Sequence, residues 1–204
     1  IERGEYYVQA VWDRNTGGRN IANSPDNMYS KSHKIMFSKN TKQIFTIKCN
    51  EVIPKPVFQE TRFVKELNVS SALLSTFHNK PVTISAAVVL PREYYQQPDR
   101  KFPVLFFFFG YGGNYHSDYL YSSNDDSTSR PIDSIPCIYV YLDGNCSWGH
   151  SVYANSETNG PWDDALITEL IPSLEKKYKC NGARLIWGHS SGGWASLWLQ
   201  IQYP

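Results

Sequence analysis

Arg184-Leu185-Ile186-Trp187-Gly188-His189-Ser190-Ser191-Gly192-Gly193-Trp194 decides how this chain is read. A short apolar run, Arg184 to Trp187, meets a tight turn, Gly188 to Gly193, and an apolar helical stretch, Trp194 to Gln202, follows. Inside the turn, Gly188-His189-Ser190-Ser191-Gly192 fits the pattern Gly-x-Ser-x-Gly. The pattern alone is weak, since about 0.07 chance matches are expected in a chain of this length. Its setting strengthens it. A serine at a sharp strand-to-helix turn is held in a strained backbone that lifts its hydroxyl clear of the sheet, and the residues two before and two after it must be small for strand and helix to approach. The helix N-terminus brings N–H groups and partial positive charge to the same oxygen. Ser190 is therefore the candidate nucleophile, and Gly188 and Gly192 are the elbow glycines. The plainer alternative is a glycine-rich strand–helix turn that asks nothing of its serine.

Upstream, Pro103 to Phe109 is a continuous apolar run, as expected of a strand buried on both faces. It opens into Gly110-Tyr111-Gly112-Gly113. A glycine-rich loop after such a strand, paired with an elbow downstream, can offer a backbone N–H to a developing oxyanion. The donors expected are the N–H groups of Ser191 and Tyr111.

The remaining elements follow from periodicity. Phe63 to Val69 reads as a strand, Val82 to Leu90 alternates as an antiparallel strand should, and Ile138 to Leu142 is another buried strand ending at Asp143-Gly144. A helix follows, capped by Asn159 or Gly160, with Pro161 in its first turn and Asp163 and Asp164 at the positive end of its dipole. Leu166, Leu170 and Leu174 mark its buried face; Pro172 should kink it, and Asn181-Gly182 stops it. Strands separated by helices imply crossovers and a parallel sheet behind an antiparallel hairpin. The first stretch is different in kind. Turn-rich segments at Asn15–Gly18 and Asn23–Asn27 lie among strand-like runs at Tyr6–Trp12, Lys34–Phe37 and Ile44–Ile47, before Pro54 and Pro56. Residues 1–57 are thus expected to be a partial β module, and 58–204 a separate α/β domain.

Composition narrows the partners. Of 204 residues 41% are hydrophobic and 15% aromatic, enough for a core, and 20 basic against 19 acidic residues give a net charge of +1. Neither a nucleic acid nor a charged membrane surface is implied, and no apolar run reaches the length of a membrane span. Cys49, Cys137, Cys146 and Cys180 show no metal-ligand spacing. Asn68-Val69-Ser70 and Asn145-Cys146-Ser147 are sequons. Together these features point to a secreted or extracellular protein with N-glycans at Asn68 and Asn145 and one or two disulfides; a buried free thiol is the plainer reading of Cys137.

From Phe63 to Tyr203 the chain resembles the putative-esterase family of α/β-hydrolases, which includes esterase D, feruloyl esterases and enterochelin esterases. The matching residues are Val82 to Pro91, Pro103-Val104 through Gly110-Tyr111-Gly112-Gly113, Glu169-Leu170-Ile171-Pro172, and Gly188-His189-Ser190-Ser191-Gly192-Gly193. Tyr153-Ala154-Asn155-Ser156 through Asn159-Gly160-Pro161 also resembles members that carry an N-terminal β module. The resemblance implies an incomplete α/β-hydrolase fold, a mostly parallel sheet with helices on both faces, preceded by that module. It implies serine esterase chemistry on a small-molecule or glycan-linked ester or thioester, without cofactor or metal. One departure stands out: many relatives carry His where this chain has Phe109.

A serine hydroxyl needs a base, and in this fold the acid and then the histidine follow the nucleophile in the chain. Residues 191–204 contain no Asp, Glu or His. His189 adjoins the serine but should point away from it; His116 and His150 read as rim residues, and His33 and His78 lie far upstream. The expectation is that the protein continues past Pro204, or that a second chain supplies the missing groups and covers the nucleophile strand, leaving these 204 residues inactive alone. Trp148, Asn155, Ser156 and Trp194 are candidate substrate contacts by chain position. The competing reading is a non-catalytic hydrolase-fold protein that binds carbohydrate or protein through its aromatics, 6 Trp and 14 Tyr.

Overall fold

The structure, a computed structural model, describes residues 2–14, 19–38, 44–116 and 135–204. It divides into two compact units, Ile1–Pro56 and Val57–Pro204. In the first, β1 (Gly4–Val8) pairs antiparallel with β4 (His33–Phe37), and β2 (Val11–Trp12), β3 (Met28–Tyr29) and β5 (Glu51–Val52) form a second small sheet. The expected strand from Tyr6 to Trp12 is broken at Gln9-Ala10, where the Ala10 N–H turns aside to Ser30 Oγ at 3.0 Å. Ile44 to Ile47 is not a strand; Ile44 is 94% exposed and has no apolar face to bury. The predicted turn at Asn15–Gly18 lies outside the described residues. Ser24, Asn27 and Ser30 are the buried residues of this unit, so hydrogen bonds rather than apolar packing make its centre among the described residues.

The second unit holds a five-stranded sheet in the order β14-β8-β9-β7-β6. β6 (Val64–Ser70) and β7 (Thr83–Val89) form the antiparallel hairpin, and β7 is antiparallel to β9 (Ile138–Leu142). β8 (Phe102–Phe108) runs parallel to β9 on one side and to β14 (Cys180–Gly188) on the other. Short hairpins β10–β11 (Asn145–Cys146, Gly149–His150) and β12–β13 (Asn155–Ser156, Gly160–Pro161) occupy the connection after β9.

Alternation along the strands divides the core. Val88, Val104, Phe106, Phe108, Val140 and Leu142 face Leu74 of α1 (Ala72–His78), Leu166, Leu170 and Leu174 of the long helical segment, and Ala195 and Leu199 of the last helix. Ala87, Val89, Leu105, Tyr139 and Tyr141 face the other way, against Val64, Tyr115, Phe58 and Phe107. The continuous apolar runs of β8 and β9 are thus buried on both faces as their sequences require. Helices were expected on both faces; among the described residues they pack on one, and aromatic side chains line the other.

Two helices escape the sequence pattern, α1 and a single turn α2 (Glu93–Gln96). α1 is capped by Ser71 Oγ, which accepts the Leu74 N–H at 3.0 Å, and by Glu169 Oε1, which accepts those of Ala72 and Leu73. The predicted kink at Pro172 takes a definite form. α3 (Trp162–Ala165) passes into a π-turn, Leu166–Leu170, before α4 (Ile171–Lys177). The Ile171 N–H reaches back five residues to Leu166 O. Widening by one residue relieves the clash between the proline ring and the carbonyl four residues earlier. The elbow helix α5 (Ser191–Gln202) starts three residues sooner than Trp194 because the Gly193 and Trp194 N–H groups already close on Ser190 O.

Candidate active site

Register places the site. Gly188 pairs with Phe108, and Phe108 pairs with Leu142. The loops after β14, β8 and β9 therefore leave the carboxyl ends of three adjacent parallel strands side by side, where open α/β sheets gather their ligands.

Ser190 has φ 56° and ψ −126°, a region non-glycine residues enter only under constraint, at a cost on the order of 1–3 kcal/mol. The constraint is the close approach of strand and helix. A Cβ on Gly188 would lie 2.2 Å from Gly192 O, and one on Gly192 would lie 2.0 Å from Phe108 O. The His189 N–H bonds Phe108 O at 3.3 Å, and the Gly192 N–H bonds His189 O at 2.9 Å, closing the turn. The Ser191 N–H, at the first position of α5, meets no backbone acceptor among the described residues.

The loop after β8 lies directly against the serine. A Cβ on Gly110 would be 3.0 Å from Ser190 Cβ and 3.6 Å from its Oγ. The Gly113 N–H closes on Gly110 O at 3.0 Å, making a compact turn with Tyr111 at its tip. The Tyr111 ring packs on Gly149, where an added Cβ would be 2.8 Å from Cε2. Trp148, 68% exposed, is beside that contact at the turn of the β10–β11 hairpin. Trp194, half exposed, stacks on Trp198 with centroids 5.5 Å apart and planes 8° apart. Asn155 and Ser156 are engaged in local structure: Asn155 Oδ1 accepts the Asp164 N–H, its Nδ2 donates to Asp164 Oδ2, and Ser156 Oγ accepts the Asn159 N–H.

Sequence reasoning overlooked the support behind the loop. Asp143, at the end of β9, is deeply buried, and burial pushes its carboxyl up to about 6 against the lowering effect of two hydrogen bonds from Asn145. The Asn145 Nδ2 reaches both Asp143 Oδ1, at 2.8 Å, and Gly113 O, at 3.2 Å. Tyr153, fully buried, donates its hydroxyl to Asp143 O at 2.6 Å. In the sequence Asp143 reads as the end of a strand and Asn145 as a sequon, and neither reading links them to the loop after β8.

No histidine reaches the serine: among the described residues Ser190 Oγ makes no hydrogen bond. His150 packs on Gly144, its Nδ1 accepting the Val152 N–H at 3.1 Å, and burial depresses its pKa. His116 lies on Tyr115, centroids 4.1 Å apart, and burial depresses it too. His78 Nε2 is 3.0 Å from Asn159 O, and His33 lies in β4. All four cysteines are free, so the expected disulfides are absent from the structure, and Cys137 is the buried thiol foreseen. No group of described His, Cys, Asp or Glu residues is arranged to hold a metal, and no described helix is long and apolar enough to cross a membrane.

A mixed sheet whose three adjacent parallel strands end beside a strained serine between strand and helix, with a glycine loop packed on that serine, defines an α/β-hydrolase. Residues 79–204, more than half of the chain, match the model of the family described as Putative esterase, and the chain belongs to that family. A comparison with curated proteins found no match. Among solved structures, a ferulic acid esterase aligns at 21% identity over 69% of this chain and 53% of its own, with a TM-score of 0.53. An S-formylglutathione hydrolase from Agrobacterium tumefaciens aligns at 15% identity over 72% of this chain and 57% of its own, with a TM-score of 0.54. A thermostable esterase aligns at 18% identity over 95% of this chain and 60% of its own, with a TM-score of 0.50. These likenesses carry the fold, and the chain spans less than two thirds of the length of each.

Proposed function

We propose that the protein is a serine esterase in which Ser190 Oγ attacks a carboxylic ester or thioester carbonyl to form an acyl-enzyme. The N–H groups of Ser191 and Tyr111 receive the oxyanion, and a histidine and an acid beyond these 204 residues activate the serine and later water. The observation that carries this reading is the strained Ser190 backbone with Gly110 packed on its Cβ, an arrangement with a cost that plain packing does not need. Trp148, next to the Gly149 on which Tyr111 packs, and Trp194, in the first turn of α5, offer exposed aromatic surface for the substrate.

The need for further polypeptide rests on two features. Ser190 Oγ has no base among the described residues. Among the described residues β14 pairs with β8 alone, and Leu185 and Trp187 are exposed along its outer edge. A groove of about 880 Å³ runs along that edge, lined by Phe106, Leu166, Ile171, Ile186 and Leu199, where another strand and its connection would fit. Asn68 is exposed on β6 and remains the sequon that fits an extracellular, glycosylated protein.

In the full-length protein, p-nitrophenyl acetate is expected to be hydrolysed, and Ser190→Ala is expected to lose at least roughly 10³-fold in rate. Retained activity in that variant refutes the nucleophile. A folded full-length protein that never labels with a fluorophosphonate favours the binding-protein reading instead.

A further inference from the structure

We propose that Asn145 is a positioning residue for the oxyanion loop and that its amide, although inside a sequon, is closed to glycosylation; the positioning role rests on the esterase reading above. Asn145 stands between two acceptors. Its Nδ2 donates to Asp143 Oδ1 at 2.8 Å and to the Gly113 carbonyl at 3.2 Å, while its own N–H also bonds Asp143 Oδ1 at 3.1 Å. Since both neighbours accept, only the amide nitrogen fits there, and both of its hydrogens are used. Asp143 is buried at the end of β9, tied to the sheet by its N–H on Ser85 O. Gly113 closes the turn back to Gly110, and Gly110 packs on Ser190 Cβ. A continuous path therefore runs from the sheet through one amide to the loop that carries the Tyr111 N–H.

The path has a chemical consequence. Oxyanion stabilisation depends on a donor already fixed where charge develops, and misplacement by about 1 Å costs on the order of 10²-fold in rate. Without Asn145 the turn keeps its internal hydrogen bond but loses its tie to β9. Glycosylation would take one of the two hydrogens and bring a sugar into a half-buried position, breaking the same tie.

The test uses the full-length protein from a glycosylating host, with Asn145→Ala and the near-isosteric Asn145→Asp. Glycopeptide mapping is expected to find Asn145 unmodified. Hydrogen exchange in the peptide spanning 107–116 should rise in both variants while the β6–β7 peptides stay unchanged. With sites counted by fluorophosphonate titration, kcat per site should fall by roughly 10- to 100-fold while KM changes less than about threefold. Asn145→Asp should be at least as impaired as Asn145→Ala, because it sets an acceptor against two acceptors, whereas a merely space-filling role would let the aspartate restore function. Wild-type exchange over 107–116 in both variants, or a glycan on Asn145 in folded protein, overturns the proposal. If the wild type neither labels nor hydrolyses esters, the esterase reading falls by itself, and the exchange comparison still decides whether Asn145 holds the loop.

Discussion

Two neighbouring glycines of the elbow should respond in opposite directions to the same added methyl group. A Cβ on Gly192 would lie 2.0 Å from Phe108 O and 2.6 Å from both Phe108 C and Phe109 O. Contacts under 3.0 Å are essentially never seen, and all three atoms are backbone, so relief requires α5 or the end of β8 to move by about an ångström. β8 cannot yield cheaply, because β9 and β14 hold it on both sides. The cost belongs at the upper end of overpacking, about 3 kcal/mol. On Gly193 the nearest atom to a new Cβ is Gly188 O at 3.4 Å, an ordinary contact, and removing a glycine from a helix stabilises by about 0.5–1 kcal/mol. Urea unfolding of the full-length protein should therefore separate Gly192→Ala from Gly193→Ala by about 3–4 kcal/mol, or roughly 2 M in midpoint for a slope near 2 kcal/mol/M. Fluorophosphonate labelling of Ser190 should slow by at least about 10²-fold in Gly192→Ala, since its hydroxyl moves with the turn. Two variants within about 0.5 kcal/mol of each other, labelling alike, would refute the close-approach argument.

Two further outcomes follow from buried polar groups. Burial raises the Asp143 carboxyl from 3.8 to about 6, so folding favours its protonated form; its contribution is most favourable below pH 4 and is lost as pH rises through about 6. Asp143→Asn, which keeps an acceptor for Asn145, should flatten this dependence and raise stability at pH 7.5 by up to about 3 kcal/mol; unchanged pH-dependence of unfolding between pH 4 and 7 would contradict it. Glu169→Ala removes the acceptor of the Ala72 and Leu73 N–H groups and should cost about 1 kcal/mol in chemical denaturation, a loss that an unaffected midpoint would rule out.

The parts of the fold that could be read in the sequence are those that local pattern dictates. β8 and β9 announced themselves as continuous apolar runs because both faces are buried, and the elbow because strand, glycines and helix are contiguous. α1 was missed because seven residues are too few to show a helical period; its stability comes from Ser71 and from Glu169, a partner 97 positions from Ala72. Pro172 was recognised as a break, but proline chemistry alone does not choose between a kink and the π-turn that forms. Asn145 read as a sequon because its second acceptor, Gly113, is 32 positions away and no spacing rule links them. The unpaired state of Cys49, Cys146 and Cys180, and the helices packed on one face among the described residues, departed from expectation for the same reason: both depend on which residues meet in space.

The pairing of β14 with β8 also sets an order of assembly. Val64 pairs with Val89 and Ser70 with Thr83, so the first hairpin closes over a short stretch of chain, whereas Arg184 must find Val104. Loop-closure entropy and parallel geometry both slow that long-range encounter, so β14 is expected to join after the hairpin has formed. During synthesis β14 and α5 emerge last of the described elements, and Leu185, Trp187, Leu197 and Ile201 stay exposed once they have packed. The segment that carries the proposed chemistry is thus the one whose self-association during biogenesis most needs to be prevented.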